Sequence, residues 1–127
     1  MSPGQAVREA FSRDDRLRKR NEFEECYASG VRVSGRYLLL FLLPGGEADA
    51  GRARLGISVG KRSGGSVVRN RLRRRVREIF RRHRPPSLSG VRIVVNVRPS
   101  AASTTFSELA HDYLLTLERG VARLRPR

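Results

Sequence analysis

Between Ser66 and His83 the chain reads SVVRNRLRRRVREIFRRH, and this stretch leaves little choice of structure. Val68, Leu72, Val76, Ile79 and Phe80 recur at helical spacing, so a helix over about Val67 to His83 gathers them into one apolar stripe. Ser66 is the expected N-cap and Pro85-Pro86 the expected stop, because proline cannot continue the helical hydrogen-bond ladder. At about 100° per residue, Asn70, Arg71, Arg74, Arg77, Arg81 and Arg82 fall opposite the stripe, and Arg69, Arg73 and Arg75 fall on its flanks. One face must be buried, so the rest of the chain has to supply a core. The other face is almost uniformly cationic.

An ordinary solvated helix does not need such a face. Exposed helices usually intersperse Glu with Arg at i, i+4 spacing, where like charges repel by a few tenths of a kcal/mol each. From Arg52 to Arg84 there are 13 Lys or Arg and one acid, Glu78, so this quarter of the chain carries +12 of a net charge of +15. A polyanion is the partner that relieves the repulsion, through release of its condensed counterions, and the binding should be strongly salt-dependent. Of the 27 basic residues only Lys19 and Lys61 are lysines. Arginine pairs bidentately with phosphate and stacks on bases, which favours nucleic acid over a membrane surface. A coding bias toward arginine would produce the same ratio, so this point weighs little. The glycine-rich turn that carries Lys61 and Arg62 adds backbone N–H donors at the helix N-terminus, suited to a further phosphate.

At 127 residues, 39% of them hydrophobic, the chain suits one folded domain with a single core. Residues 1–15 and 121–127 read as tails around a domain over 16–120. A first helix is expected over Glu22 to Ser29, capped by Asn21 and Glu24 and stopped by Gly30, with Phe23, Cys26 and Tyr27 on one face. Arg36 to Leu43 reads as a strand apolar on both faces, Tyr37, Leu39, Phe41 and Leu43 pointing one way and Leu38, Leu40 and Leu42 the other. Arg52 to Val59 alternates as a second strand, and an antiparallel hairpin between these two across residues 44–51 is expected. Val91 to Val97 is a further strand, and a last helix runs from Phe106 to Arg119 with a Thr105–Glu108 capping box and Gly120 as its end. A short strand near Val31 to Val33 fits as well. The expected fold is α+β: a single-domain sandwich of a small, mostly antiparallel sheet with about three helices.

Ser58 to Phe80, SVGKRSGGSVVRNRLRRRVREIF, resembles the signature of the bacterial ribonuclease P protein family, an Arg-Asn-Arg helix after a basic glycine turn. Arg69, Asn70, Arg71, Arg74, Arg75, Arg77 and Glu78 stand at the motif spacing, and Lys61-Arg62 precede them as the family's basic pair does. The likeness runs upstream through LRKRNEFEECYASGVRVSGRYLLLFLLP and downstream to about Arg119. It implies an accessory subunit of a ribonucleoprotein that removes the 5′ leader of precursor tRNA, with magnesium-dependent chemistry performed by the RNA. It further implies that Lys61, Arg62, Arg69, Asn70, Arg71, Arg74, Arg75 and Arg77 engage the catalytic RNA. Phe23, Tyr27 and Phe41, with Arg36 nearby, would hold the single-stranded leader, a use that aromatic stacking beside cations supports; without the resemblance, these aromatics read first as core packing. A left-handed strand–helix–strand crossover at the basic helix is implied too. Two departures stand out: Gly65 replaces a larger polar residue common in the family, and Asn96-Val97 replaces a stretch that is often basic.

No catalytic residue and no metal or cofactor site is expected in the polypeptide. His83 and His111 have no carboxylate or cysteine constellation around them, and the GxxxxGK[ST] loop is broken at Leu55 and Arg62. Cys26 is the only cysteine, which excludes an internal disulfide and points to a reducing, cytoplasmic setting, and it reads as a buried small hydrophobe. No segment approaches a membrane span or a signal peptide, so no membrane partner is expected. The rival readings are a ribosomal-type structural RNA-binding protein, a self-sufficient nuclease, which would need a carboxylate metal cluster, and a DNA-binding module using the arginine helix in a major groove.

Overall fold

The strand VRIVVNV is apolar at all but two positions, and such a strand is stable only with neighbours on both edges and cover on both faces. The computed structural model, which describes residues 15–45, 51–84 and 88–124, provides both. The elements are α1 (Arg20–Ser29), β1 (Val31–Ser34), β2 (Leu38–Pro44), β3 (Arg54–Val59), α2 (Ser66–Arg82), β4 (Val91–Val97) and α3 (Phe106–Leu124), with single 3-10 turns at Lys61–Ser63 and Pro99–Ser103. They form an α+β fold around one four-stranded sheet in the order β1-β2-β4-β3. β4 lies antiparallel to β2, from Leu38 opposite Val97 to Pro44 opposite Val91, and parallel to β3, from Arg54 opposite Arg92 to Val59 opposite Val97. The expected short strand is β1, antiparallel on the outer side of β2.

The expected hairpin between β2 and β3 does not form, because β4 lies between them. β2 and β4 are the two strands buried on both faces, and pairing them places both in the interior. β3, with Arg54 and the exposed Ser58, takes an edge instead, and α2 carries the chain from β3 to its parallel neighbour β4. Residues 46–50 of the proposed hairpin loop lie outside the described residues.

One face of the sheet carries the main core. Leu38, Leu40 and Leu42 of β2, Ile93 and Val95 of β4 and Leu55 of β3 pack against Leu72, Val76, Ile79 and Phe80 of α2 and Leu109, Tyr113 and Leu117 of α3. Each such side chain, taken from water, contributes about 1.5–3 kcal/mol. The other face carries a smaller cluster of Phe41, Val94, Leu39 and Leu43 with Leu17, Phe23 and Cys26, so α1 makes a third layer. Tyr37, expected beside Leu39 and Phe41, precedes β2 and packs against the main core; its amide donates to Asp112 Oδ2 at 2.8 Å.

Helix ends depart from expectation where a cap had to be chosen among neighbours. α1 begins after Lys19, and Glu22 accepts from the amides of Arg18 (3.1 Å) and Lys19 (3.2 Å). Asn21 is therefore inside the helix, and Glu24 pairs with Arg20 instead of capping. α2 begins one residue early, with Gly65 as N-cap and Ser66 inside; it ends at Arg82, while Pro85-Pro86 lie outside the described residues. The Thr105–Glu108 box forms as expected, at 2.9 and 3.1 Å. Gly120 does not end α3. A Cβ there would stand 2.8 Å from Leu42 Cδ1 and 3.1 Å from Val33 Cγ2, so this glycine lets the helix approach the sheet closely and continue to Leu124.

Candidate nucleic-acid interface

The arginines of α2 divide by what lies beside them. The 99–103 turn and the residues that lead from it into α3 lie along one flank, and their main chain offers carbonyls that have no helical partner. Arg71 Nη2 donates to the Ala102 carbonyl at 3.0 Å, and Arg75 Nη1 to that of Thr104 at 2.9 Å. Arg82 stands 5.4 Å from the ring centre of Phe106. Arg71 and Arg82, expected opposite the apolar stripe, are thus turned to the flank facing α3. A helical wheel knows only its own helix, and the pull comes from a neighbour distant in sequence.

Elsewhere on α2, Arg69 Nε donates to the Gly64 carbonyl (3.2 Å) and Arg73 to Asn70 Oδ1 (2.9 Å). Arg81 and Arg82 both close on Glu78, at 2.5 and 2.7 Å. These hydrogen bonds hold the Glu78 carboxyl at about 2, well below the usual carboxylate range. The C-terminal turn is thereby partly neutralised, and the N-terminal half is not. Lys61, Arg62, Arg74 and Arg77 make no side-chain hydrogen bond or ion pair among the described residues. Burial, then repulsion from Arg16, Arg73 and Arg74, pushes the Arg77 guanidinium below its ordinary value. Lys61, Arg62, Asn70 and Arg74 are exposed, while Arg69, Arg71, Arg75 and Arg77 are half-buried. Together with the first-turn N–H groups of α2 they form a ridge suited to a polyphosphate backbone.

Across the sheet, α1 brings three of the four expected leader residues together. Phe23 lies so close over β3 that a Cβ on Gly56 would be 2.6 Å from its Cζ. Tyr27 meets Phe41 edge to face, with ring centres 4.8 Å apart at 80°. Phe41 is only 7% exposed and Tyr27 is 40% exposed, so Tyr27 presents the ring a base can reach. Arg36 stands apart: its guanidinium lies 5.2 Å from the Tyr37 ring centre and its amide donates to Asp112 of α3. Two ion pairs, Glu22 with Arg54 at 2.9 Å and Glu25 with Arg92 at 2.6 Å, fasten α1 to β3 and β4.

Sequence reasoning marked Asn96 only as a departure from the family pattern and missed its contact with Tyr27. It accepts from the Tyr27 hydroxyl at 3.0 Å and so fixes the exposed ring, a pairing between positions 69 residues apart that no local pattern signals. In register, Ser34, Leu39, Asn96 and Ser58 form one row across all four strands, and Ser34 and Ser58 are exposed. Cys26 is fully buried, as expected. Among the described residues there is no group of three or more His, Cys, Asp or Glu able to hold a metal ion, and no helix long and apolar enough to cross a membrane.

Comparison with known proteins gives consistent results. The model of the Ribonuclease P family matches residues 11–120. The ribonuclease P protein component of Acidothermus cellulolyticus is 39% identical over 98 residues, covering 77% of this chain and 81% of that protein. That of Desulfovibrio desulfuricans is 38% identical over 114 residues, covering 87% and 85%. Among solved structures, a Staphylococcus aureus RNase P protein mutant with defective mRNA degradation activity superposes with a TM-score of 0.75 at 28% identity, over 91% of this chain and 92% of that one. The RNase P protein from Thermotoga maritima gives 0.71 at 32% identity, over 82% and 96%.

Proposed function

This chain belongs to the ribonuclease P protein family, and from that membership we propose how its two surfaces divide the work of removing the 5′ leader from precursor tRNA. As a ribonuclease P protein component, it acts with the ribonuclease P RNA in tRNA 5′ processing. In this reading the α2 ridge, with Lys61, Arg62, Arg69, Asn70, Arg74 and Arg77 foremost, docks on that RNA, and Phe23, Tyr27 and Phe41 receive the single-stranded leader of the precursor. Arg71 and Arg75 contribute charge from the flank while holding α3. Hydrolysis belongs to the RNA and its magnesium ions, and the complex works in the cytoplasm.

The observation that carries the reading is the unneutralised N-terminal half of α2. Other arginines on the sheet and at the end of α2 are matched by acids: Arg54 and Arg92 by Glu22 and Glu25, and Arg81 and Arg82 by Glu78. These same pairs commit the carboxylates that a protein nuclease would need for metal, which supports leaving the chemistry to the RNA. The protein's contribution is then electrostatic and positional: cations lower phosphate repulsion between two large RNAs, and leader contact favours precursor over mature tRNA by differential binding.

The test of the leader site is the affinity of the holoenzyme for precursor and for mature tRNA, with wild-type protein and with Phe23→Ala plus Tyr27→Ala. The reading expects the preference for precursor to fall by roughly tenfold or more, about 1–3 kcal/mol per stacked base, with mature tRNA bound as before. An unchanged preference sinks the assignment.

A further inference from the structure

A second cationic surface lies at the opposite edge of the sheet from β3, around the four residues of β1. An edge strand exposes backbone groups that invite another strand. Here the outward carbonyls of Arg32 and Ser34 are occupied by guanidinium groups one turn apart on α3, Arg123 Nη1 at 2.8 Å and Arg119 Nη2 at 3.4 Å. Arg98, just beyond β4, donates to Ser34 Oγ at 2.5 Å, and Arg36 follows in the turn. Five arginines therefore surround one short strand, and none of them forms an ion pair among the described residues. The acids on the facing helix do not cancel them. Asp112 spends its oxygens on the amides of Arg36, Tyr37 and Leu38, and Glu118 is a single exposed charge. Protecting the edge needs only Arg119 and Arg123, and Arg32, Arg36 and Arg98 are surplus to it.

The placement of this cluster says what it could hold. Arg32 is opposite Phe41 and Ser34 opposite Leu39, so both side chains stand on the face where Tyr27 and Phe41 meet, one strand spacing of about 5 Å away. A strand of RNA leaving the aromatic pair outward crosses this edge next.

We infer that the arginines around β1, chiefly Arg32, Arg98, Arg119 and Arg123, form a second phosphate-binding subsite, which takes the continuation of the single-stranded leader beyond the Tyr27–Phe41 pair. This rests on the reading of that pair as the leader site. The subsite makes binding depend on leader length, and it does so without reading sequence, since guanidinium groups on phosphates carry none.

The experiment measures equilibrium binding of two precursor tRNAs by the holoenzyme: one with a leader long enough to reach the aromatic pair, one extended by about four further nucleotides, the span of a strand spacing and two arginine side chains. Arg32→Gln/Arg119→Gln/Arg123→Gln alters three exposed guanidinium groups, two of which cap β1 carbonyls, and Arg32→Glu alone changes a side chain that caps nothing. Wild type should bind the longer leader several-fold more tightly. The triple variant should lose that gain, bind the shorter precursor as wild type does, and show a salt slope lower by about 2, near 0.7 for each single-strand phosphate contact. Arg32→Glu should lose most of the gain. A full length-dependent gain in both variants overturns the inference, and so does self-association of the triple variant with unchanged RNA affinity, which would make these arginines edge guards only. Phe23→Ala/Tyr27→Ala, run in parallel, separates the two readings: if it leaves leader binding intact while the arginine variants lose the gain, the aromatic assignment fails and the phosphate subsite stands.

Discussion

Tyr27 is held by two partners that differ in kind: Phe41 supports the ring by its edge, and Asn96 fixes the hydroxyl. Gly56 matters to the same site because it leaves room for the Phe23 ring beside it. Gly56→Ala forces that ring to move, and overpacking of this kind costs about 1–3 kcal/mol, readable in denaturant unfolding, with leader affinity falling as well. Tyr113 offers the opposite case. It is fully buried, its hydroxyl finds no hydrogen-bond partner among the described residues, and burial pushes its phenol far above the ordinary range. Tyr113→Phe removes an unsatisfied group without opening a cavity, so the unfolding free energy should hold or rise by up to about 1 kcal/mol. The arginines of α2 separate by the same logic. Arg75→Ala breaks a bond to a main-chain carbonyl and should lower the melting temperature. Arg74→Ala breaks none, and should leave stability unchanged while reducing the salt slope of RNA binding by about 1.

At the scale of elements, α1 is fastened to the sheet by a carboxylate that responds to pH. Burial raises the Glu22 pKa, but hydrogen bonds from the Lys19 and Arg18 amides and from Arg54, with the charge of Arg54, outweigh it and leave the group below its ordinary 4.5. A carboxylate depressed in the folded state stabilises fully above its unfolded pKa, and the contribution is lost as pH falls through the folded one. Docking of α1 should therefore weaken below pH 4.5, and Glu22→Gln, costing about 1–2 kcal/mol at neutral pH, should flatten the melting temperature in that window. A variant that keeps the full wild-type slope would show that another group governs it. α2 was legible from sequence because five apolar residues at helical spacing admit one reading, and Cys26 and the Thr105–Glu108 box were legible for equally local reasons. The pairing of β2 and β3 was not. Both orders satisfy the alternation of each strand, and only the two-sided burial of β4, 30 residues or more downstream of β3, decides between them. Gly120 misled for a related reason: a glycine near a helix end looks the same whether it stops the helix or admits a neighbouring sheet.

For the whole molecule, acids paired with arginine lie where α1 meets the sheet and where α2 ends, and among the described residues cations are left without ion pairs on the N-terminal half of α2 and around β1. The family resemblance and the polyanion partner were readable from the basic segment alone. The division of its arginines, Arg71 and Arg75 turned to α3 and Arg74 and Arg77 left without a side-chain partner among the described residues, was not, because it depends on where α3 packs. The measurement closest to the central claim is cleavage of precursor tRNA by a bacterial ribonuclease P RNA at low, near-physiological magnesium, with no protein, with wild type, and with Arg62, Arg74 and Arg77 changed to Ala. The account predicts that wild type restores cleavage, that the protein alone cleaves nothing, and that the triple variant folds but restores little. Wild-type protein that binds this RNA yet restores no cleavage, even with RNA from its own source, would contradict it.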